Sequence, residues 1–248
     1  QEYGVEVSQL NFDMVTAKAR KDKVVSSLVS GIKQLLLANG VEIIKGEASL
    51  VDKNTILVDG QELKTEKILL ATGSVPSLLP IKGIELEGVI TSDDILELSE
   101  VPKRLVIIGG GVIGLEFACI FKAFGSEVTV IEYQPSVLNI LDKEIGKRMG
   151  VFLKKQKITV HTSAAVQSIE KTNDGLEVQV EGKKGQLVCT GDMVLVAGGR
   201  KPYIAGLKLE KVGIETDKRG FITVDDNYQT NVEGIYAIGD VIGGQMLA

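Results

Sequence analysis

The stretch RLVIIGGGVIGLEFACIFKAFGSEVTVIE, residues 104–132, decides the fold of this chain. Within it an apolar run, Leu105 to Ile108, leads directly into the glycine motif GGGVIG, residues 109–114. The next apolar run, Val128 to Ile131, ends at a single acid, Glu132. A glycine-rich turn alone is a weak signal, but a strand, the glycines, a helix and a terminal acid in this order are typical of a dinucleotide-binding unit. The stretch therefore predicts an α/β fold whose parallel sheet carries such a site.

Each glycine of the motif has a separate physical role. Gly109 allows the tight turn out of the strand, Gly111 lets the backbone approach a pyrophosphate, and Gly114 lets the helix pack close to the strand. The unpaired N–H groups at the start of the helix then face the phosphates. Glu132 is suited to accept hydrogen bonds from the adenosine ribose, and its charge would repel a 2′-phosphate that Tyr133 cannot neutralise. We therefore expect NAD rather than NADP, and the alternative role of Glu132 is that of a solvated strand-end carboxylate.

Composition excludes several classes of partner. The chain has 248 residues and a net charge of −5 from 28 basic and 33 acidic residues, so we expect neither a nucleic-acid nor a membrane partner. The apolar stretch 105–121 contains Glu116 and a cluster of glycines, which argues against a membrane span. The sequence does not open with the basic segment and the apolar segment of a secretory signal peptide. We therefore expect a protein that is not secreted and that works in a cytoplasm of bacterial type or in an organelle matrix.

Neither redox nor metal chemistry is expected of the cysteines and the histidine. Cys119 and Cys189 lie far apart and form no CxxC or CxxxxC spacing, so we interpret them as buried apolar residues in a reducing compartment. His161 is the only histidine of the sequence, which leaves no histidine-based triad or metal cluster. We accordingly assign no catalytic and no metal-binding residue in this chain.

Hydrophobic periodicity in the first segment, residues 1–77, predicts a helix followed by short strands. Apolar residues at helical spacing predict one amphipathic helix from about Asn11 to Asn39, with Gly40 as its C-terminal stop. The predicted strands are 41–45, 48–51, 55–58 and 67–71. Asp59 and Gly60 supply a turn that tolerates positive φ. Proline and glycine residues between 76 and 83 then mark a domain boundary.

The second segment, residues 78–205, alternates strand and helix, which argues for a doubly wound parallel sheet. After the acid a helix is predicted from Asp142, its N-cap, to Gln156. Three strands that leave the parallel sheet and pair with one another in antiparallel are predicted next, an antiparallel excursion at 164–171, 176–180 and 186–189. A strand from Met193 to Ala197 then returns to the parallel sheet. Gly198 and Gly199, which come next, either line the other side of the nucleotide site or form a simple turn.

The third segment, residues 206–248, contains the motif GIYAIGD at 234–240. An apolar strand that ends in Gly-Asp can place a carboxylate at the carboxyl edge of a sheet, where ligands of open α/β folds bind. Asp240 therefore either meets a ribose or sugar-alcohol hydroxyl or only forms a turn.

Three motifs together resemble the flavin- and pyridine-nucleotide-dependent disulfide oxidoreductases. They are Ala71-Thr72-Gly73, the stretch GGGVIGLE at 109–116, and Ile238-Gly239-Asp240, in the order found in that family. The wider match resembles the dihydrolipoyl dehydrogenases most closely, through GSEVTVIE at 125–132, the stretch 212–240 and the terminal GGQMLA. The resemblance covers essentially the whole chain.

This resemblance implies a Rossmann-like NAD domain inserted in the remainder of an FAD-binding domain, to which segments 1–77 and 206–248 belong. It implies that Val166 lies near the adenine, and that Ile113 and Glu116 lie where nicotinamide approaches the flavin. The implied NAD-binding residues are Gly109, Gly110, Gly111, Val112, Ile113, Gly114, Glu116, Glu132, Val166 and Gly199. The implied FAD-binding residues are Thr72, Gly73, Ser74, Asp240, Met246 and Leu247.

The implied activity is the oxidation of dihydrolipoamide, with electrons passing through an active-site disulfide and FAD to NAD. The resemblance also implies a lipoyl-bearing protein or a small disulfide as substrate, and a homodimer in the intact parent. The family's first glycine motif, its CxxxxC pair and its His-Glu interface domain have no counterpart in this sequence. We therefore interpret the chain as an internal piece that is inactive by itself.

We expect the NAD unit to fold and to bind nucleotide without further segments. Tight retention of FAD is not expected, because the main anion cradle for its pyrophosphate is missing from the sequence. Two alternatives stay open. One is an NAD-binding module without catalysis, and the other is a related NADH-dependent flavin oxidoreductase without the disulfide.

Overall fold

The computed structural model describes residues 11–183, 185–244 and 246. Within them the α-helices are α1 (Met14–Ala38), α2 (Val112–Ala123), α3 (Lys143–Lys155) and α4 (Leu209–Val212), and the short 3-10 helices are Asp94–Glu97 and Gly239–Ile242. The strands are β1 (Ala48–Asp52), β2 (Thr55–Val58), β3 (Gln61–Lys64), β4 (Ile68–Leu70), β5 (Ser74–Pro76), β6 (Val89–Thr91), β7 (Arg104–Ile108), β8 (Glu127–Glu132), β9 (Thr159–Thr162), β10 (Ala164–Thr172), β11 (Gly175–Gly182), β12 (Gly185–Gly191), β13 (Met193–Val196), β14 (Arg200–Pro202) and β15 (Ile235–Ala237).

These elements belong to two compact units. The first unit comprises Leu78–Gly199 and the segment that ends at Gly31. The second unit comprises Ile32–Ser77 and the segment that starts at Arg200. Each unit has its own hydrophobic core.

A five-stranded parallel sheet, in the order β6-β13-β7-β8-β9, forms the centre of the first unit. Residues of β7 alternate between its two faces, as the two-residue period of a strand requires. Leu105 and Ile107 pack with side chains of α2 and α3 in one core, whereas Val106 and Ile108 pack in another core with β10 and β11. The predicted Rossmann-like parallel sheet is thus confirmed, and its second face is covered by an antiparallel sheet rather than by helices.

That covering sheet has the strand order β10-β11-β12 and confirms the predicted antiparallel excursion. The return of β13 to the parallel sheet, beside β7, is confirmed as well. The helix predicted from Asp142 is α3, and the Asp142 carboxylate caps it by accepting a hydrogen bond from the Glu144 N–H at 2.8 Å.

The second unit combines three small sheets. β1, β2 and β3 form an antiparallel sheet, β4 pairs with β15 in parallel, and β5 pairs with β14 in antiparallel. The predicted strand at 41–45 is wrong, because the structure forms no strand there and no described strand pairs with it. Val41, Ile43 and Ile44 are exposed, so the apolar residues of this segment form no buried face that would hold a strand in place.

The predicted N-terminal helix is confirmed as α1, and Gly40 follows it with the positive φ of a C-terminal stop. None of its residues is buried, and Leu28 and Leu35 are 64% and 65% exposed. The periodicity therefore identified the helix correctly but not a buried face. In the described part of the chain, no helix is both long and apolar enough to cross a membrane.

Candidate functional site

A cleft of about 720 Å³ opens at the carboxyl ends of the central strands of the first unit. This edge of an open parallel sheet is where ligands of such folds bind. The lining is drawn entirely from the first unit and includes six of the predicted NAD-binding residues, namely Gly109, Gly110, Gly111, Glu132, Val166 and Gly199. The structure thus brings together residues that are up to 90 positions apart in the sequence.

The glycine turn has the geometry that its sequence predicts. Gly109 has φ +118°, which L side chains rarely adopt. A Cβ on Gly114 would collide with the carbonyl oxygen of Gly109, so only glycine lets α2 approach the turn this closely. A Cβ on Gly111, in contrast, would meet nothing within 4 Å, because this residue faces the open cleft. The first and third glycines are therefore required by the fold, and the second leaves space for a ligand.

The first turn of α2 is open to an anion. Gly111 is its N-cap and supplies no side-chain hydrogen bond to the N–H groups of the first turn. Such N–H groups have no acceptor within the helix, and they carry the positive end of its dipole. The site can therefore stabilise the pyrophosphate of a dinucleotide.

The carboxylate of Glu132 is held by two backbone N–H groups. Its Oε2 accepts from the Gly110 N–H at 2.6 Å, and its Oε1 accepts from the Gln134 N–H at 2.6 Å. Each carboxylate oxygen can accept a second hydrogen bond, so both remain available to ribose hydroxyls. Among the described residues that line the cleft, Glu132 is the only charged one. This half-buried carboxylate therefore dominates the electrostatics of the cleft.

Several predicted NAD-binding residues lie outside the cleft lining. Val112, Ile113 and Glu116 lie on α2 but do not line the cleft, and Glu116 is exposed. Gly114 is buried against Gly109, which is the close packing that the sequence predicts for it. The structure therefore brings six of the predicted residues together in the cleft and leaves these four outside its lining.

Sequence reasoning missed the loop that follows β8. Tyr133, Gln134, Asn139 and Ile140 all line the cleft, as do Leu79 and Ile81 from the segment before β6. The loop was detectable in principle, because it begins directly after the acid and ends at the Asp142 N-cap. The segment that contains Leu79 and Ile81 carries no sequence signal of this kind, since its place in the cleft depends on long-range packing.

A second cluster, in the second unit, joins the predicted FAD-binding residues Ser74 and Asp240. The Ser74 hydroxyl donates to Asp240 Oδ2 at 2.6 Å, and Arg200 Nε donates to the Ser74 Oγ at 2.7 Å. Thr72 donates through its hydroxyl to the Tyr203 carbonyl oxygen at 2.6 Å. Sequence reasoning did not identify Arg200, whose place beside Ser74 follows from the pairing of β5 with β14.

The other carboxylate oxygen of Asp240, Oδ1, is buried and has no hydrogen-bond partner within the described chain. A buried acceptor without a donor is energetically costly, so this oxygen fits a ligand that supplies a hydroxyl. The sugar-alcohol chain of FAD offers such hydroxyls. Met246 is among the described residues, whereas Leu247 lies outside them.

The cysteines show no sign of redox activation. Burial raises the pKa of the Cys119 thiol and that of the Cys189 thiol, which disfavours the reactive thiolate. Both cysteines are free. No group of three or more potential metal ligands occurs among the residues that the structure describes.

Comparisons with known proteins agree with this geometry. Residues 4–248 match the family model described as pyridine nucleotide-disulphide oxidoreductase. A mitochondrial dihydrolipoyl dehydrogenase of Pisum sativum is 41% identical over 253 residues, which cover 99% of this chain and 50% of that protein. A leghemoglobin reductase of Glycine max is 40% identical, with 99% of this chain and 48% of that protein covered.

A solved structure shows the same fold. The HOCl-induced flavoprotein disulfide reductase RclA from Escherichia coli superposes with a TM-score of 0.83 at 36% identity, over 94% of this chain and 53% of that one. The chain therefore spans about half the length of the relatives that it matches. The resemblance inferred from the three motifs is confirmed, and the chain belongs to the pyridine nucleotide-disulphide oxidoreductase family.

Proposed function

We propose that this chain supplies the NAD site and part of the FAD site of a dihydrolipoyl dehydrogenase. The observation that carries the proposal is the cleft in which the glycine turn, the open end of α2 and the carboxylate of Glu132 converge. When bound, FAD would accept electrons from a disulfide centre reduced by dihydrolipoamide and pass them to NAD as hydride. The dihydrolipoamide substrate is proposed because curated relatives at about 40% identity carry that enzyme's name.

In this proposal the first unit binds NAD by its ADP half. The pyrophosphate lies at the first turn of α2, against Gly111, and Glu132 accepts hydrogen bonds from the adenosine ribose. Val166 and Gly199 line the cleft on the segments that follow β9 and β13. A 2′-phosphate would meet the Glu132 carboxylate with no basic residue in the described lining to offset the repulsion. NAD is thus favoured over NADP.

The remaining predicted residues are assigned to the flavin side. Ile113 and Glu116, which lie on α2 outside the cleft lining, would lie where nicotinamide approaches the flavin, as the family resemblance implies. Asp240 would accept a ribityl hydroxyl on its unpaired oxygen, supported by Ser74 on the other oxygen. Thr72, Gly73, Met246 and Leu247 would complete the FAD contacts.

The partners and the compartment belong to the intact protein. We propose a lipoyl-bearing protein or a small disulfide as its substrate and a homodimer as its assembly. Bacterial-type cytoplasm or an organelle matrix is the proposed compartment, and several relatives are named as mitochondrial. Nucleic acid and membrane are not proposed as partners, since the net charge is −5.

Titration with NADH and NADPH tests the role of Glu132. We expect the wild-type chain to bind NADH at least about tenfold more tightly than NADPH, since a hydrogen bond to a charged group contributes about 1.5–3 kcal/mol. Glu132→Gln should weaken NADH binding about tenfold and reduce the preference for NADH over NADPH. Glu127→Gln is the matched control, because Glu127 lies on the same strand, is exposed and does not line the cleft. Equal wild-type affinity for the two nucleotides would contradict the proposal, and so would an unchanged ratio in Glu132→Gln.

A further inference from the structure

Ile140 is the most exposed large apolar side chain among the described residues, at 83%. It lies in the loop 133–141, between β8 and the N-cap of α3, and it lines the cleft together with Asn139. A single exposed isoleucine on an open surface is an ordinary feature of soluble proteins. An isoleucine at the edge of a ligand cleft, in contrast, is positioned to lose its solvent contact when a ligand binds.

The loop is held in place by buried anchors. Val137 and Leu138, which precede the exposed pair, are only 3% and 6% exposed. The Leu138 N–H donates to the Gly110 carbonyl oxygen at 2.9 Å, which ties the loop directly to the glycine turn. The Leu141 N–H donates back to the Leu138 carbonyl oxygen at 2.9 Å and closes a tight turn around Asn139 and Ile140. The position of Ile140 is therefore set by the same backbone that forms the phosphate-binding turn.

Leu138 also adopts a strained backbone conformation. Its φ is +51°, in the left-handed region that is unfavourable for a residue with a Cβ. Strain of this kind persists where the surrounding packing enforces it, and it clusters at ligand sites. Here the strained residue turns the chain so that Asn139 and Ile140 reach the cleft while Val137 and Leu138 stay in the core.

The chemistry of the surrounding wall selects the part of the ligand that Ile140 meets. The loop begins directly after Glu132, and Gly110 contacts both Glu132 and Leu138. The cleft also contains the apolar side chains of Leu79 and Val166. An apolar wall next to a ribose-binding carboxylate is suited to the flat, apolar faces of a purine base.

We infer that Ile140 is a contact residue for the adenosine half of the bound dinucleotide and supplies affinity by burial against it. The inference rests on the proposed function, since it requires the cleft to bind a dinucleotide. It adds a ligand contact that the glycine motif and Glu132 do not include. Because the contact is made with the adenosine half, it affects ADP-ribose and NADH alike and leaves nicotinamide mononucleotide unaffected.

Calorimetric titration of the 248-residue chain with ADP-ribose and NADH tests this contact. Ile140→Ala removes most of the apolar surface that the ligand would cover, so both dissociation constants should rise by roughly fivefold to twentyfold. Ile140→Leu retains that surface and should stay within about twofold of wild type. Ile145→Ala is the matched control, because Ile145 is 48% exposed on α3 and does not line the cleft, so its affinities should not change.

The two proposals fail in different ways. If the wild-type chain binds neither ADP-ribose nor NADH, the proposed function is overturned together with this inference. If wild type binds both and Ile140→Ala binds them with unchanged affinity, the contact at Ile140 is refuted while the NAD site stands. An equal loss of affinity in Ile145→Ala would likewise refute the contact, because the effect would then be unrelated to the cleft.

Discussion

Gly114 shows how a single missing side chain determines a local packing distance. A methyl group at this position would collide with the Gly109 carbonyl oxygen and lie 3.3 Å from the Ala197 Cβ. Gly109 and Ala197 belong to the glycine turn and to the segment after β13, so neither can move without disturbing the cleft. The third glycine of the motif thus acts through packing.

Gly114→Ala is therefore expected to lower the free energy of unfolding by about 2–3 kcal/mol, as overpacking of a tight core does. Gly150→Ala, in α3, is the matched control because its Cβ would meet nothing within 4 Å. This control should raise the free energy of unfolding by up to about 1 kcal/mol, since alanine favours a helix over glycine. Urea denaturation of both variants measures the difference. An unchanged or raised free energy of unfolding in Gly114→Ala would contradict this role of the close approach, because helix propensity alone favours alanine at both positions.

The residues of the cleft differ in how easily they can be identified from the sequence. Glu132 was identified because it ends an apolar run at the required distance from the glycines. Ile140 was not, since a single apolar residue shortly before a helix N-cap also occurs in loops that contact no ligand. The tertiary structure shows that this loop returns to the cleft, where the Leu138 N–H donates to the Gly110 carbonyl oxygen.

Among the elements, β7 and β13 are joined at their start by an ion-pair cluster. The Arg104 guanidinium contacts Asp192 Oδ1 at 2.7 Å and Asp174 Oδ2 at 3.0 Å, and the Arg104 N–H donates to Asp192 Oδ2 at 2.8 Å. Burial raises the pKa of the Asp192 carboxyl, but the hydrogen bonds and the charge of Arg104 outweigh it, so the pKa lies below its ordinary value. The pair thus stabilises the ionised form of Asp192 in the folded state.

The sign of the pH dependence follows from this lowered pKa. A carboxyl whose pKa is lower in the folded state stabilises the fold above its unfolded pKa of about 3.9, and this stabilisation is lost as the pH falls through the folded value. Asp192→Asn should therefore be less stable than wild type at pH 7, and the difference should shrink as the pH falls below about 4. Asp174→Asn is the control. The Asp174 carboxylate is 79% exposed, so water weakens its ion pair with Arg104 and its removal should change stability less. Urea midpoints measured from about pH 7 to about pH 3 provide the test, and a difference that grows toward low pH would contradict the assignment.

Sequence patterns predicted those helices and strands well that also pair or pack with another segment of the chain. The glycine turn, α2, β8 and the capped α3 were all predicted within a few residues. The strand expected at 41–45 does not form, because a short apolar segment becomes a strand only if another strand pairs with it. The helix α1 has no buried residue in the described chain. It can still be predicted from its sequence, because the hydrogen bonds of a helix join residues only four positions apart and need no second segment.

At the scale of the whole molecule, the cleft belongs entirely to the first unit. A ligand that binds only the folded form stabilises the region that it binds, by about 2.7 kcal/mol at a hundred times its dissociation constant. NADH should therefore slow amide exchange in β7 and α2, which surround the glycine turn. It should leave β15, in the core of the second unit, unchanged.

Hydrogen exchange followed by mass spectrometry, with and without NADH, measures this difference. Peptides that cover 104–123 and peptides that cover 235–237 are measured in the same digest. The second set therefore serves as the control for the first, and no separate variant is needed. Slower exchange at 235–237 without any change at 104–123 would place the nucleotide in the wrong unit and contradict the proposed site.

The sequence by itself determined the order of strand, glycine turn, helix and acid, and with it the Rossmann-like fold and the chemistry at Gly109, Gly114 and Glu132. These features are local, because neighbouring residues at fixed spacing are enough to produce them. Only the tertiary structure decided that Leu79 and Ile140 line the cleft beside the predicted residues, and that Ser74 donates to Asp240 while the other carboxylate oxygen has no partner among the described residues. Contacts of this kind join distant segments, and their formation depends on the balance between loop-closure entropy and buried surface over the whole chain, which no short stretch of sequence contains.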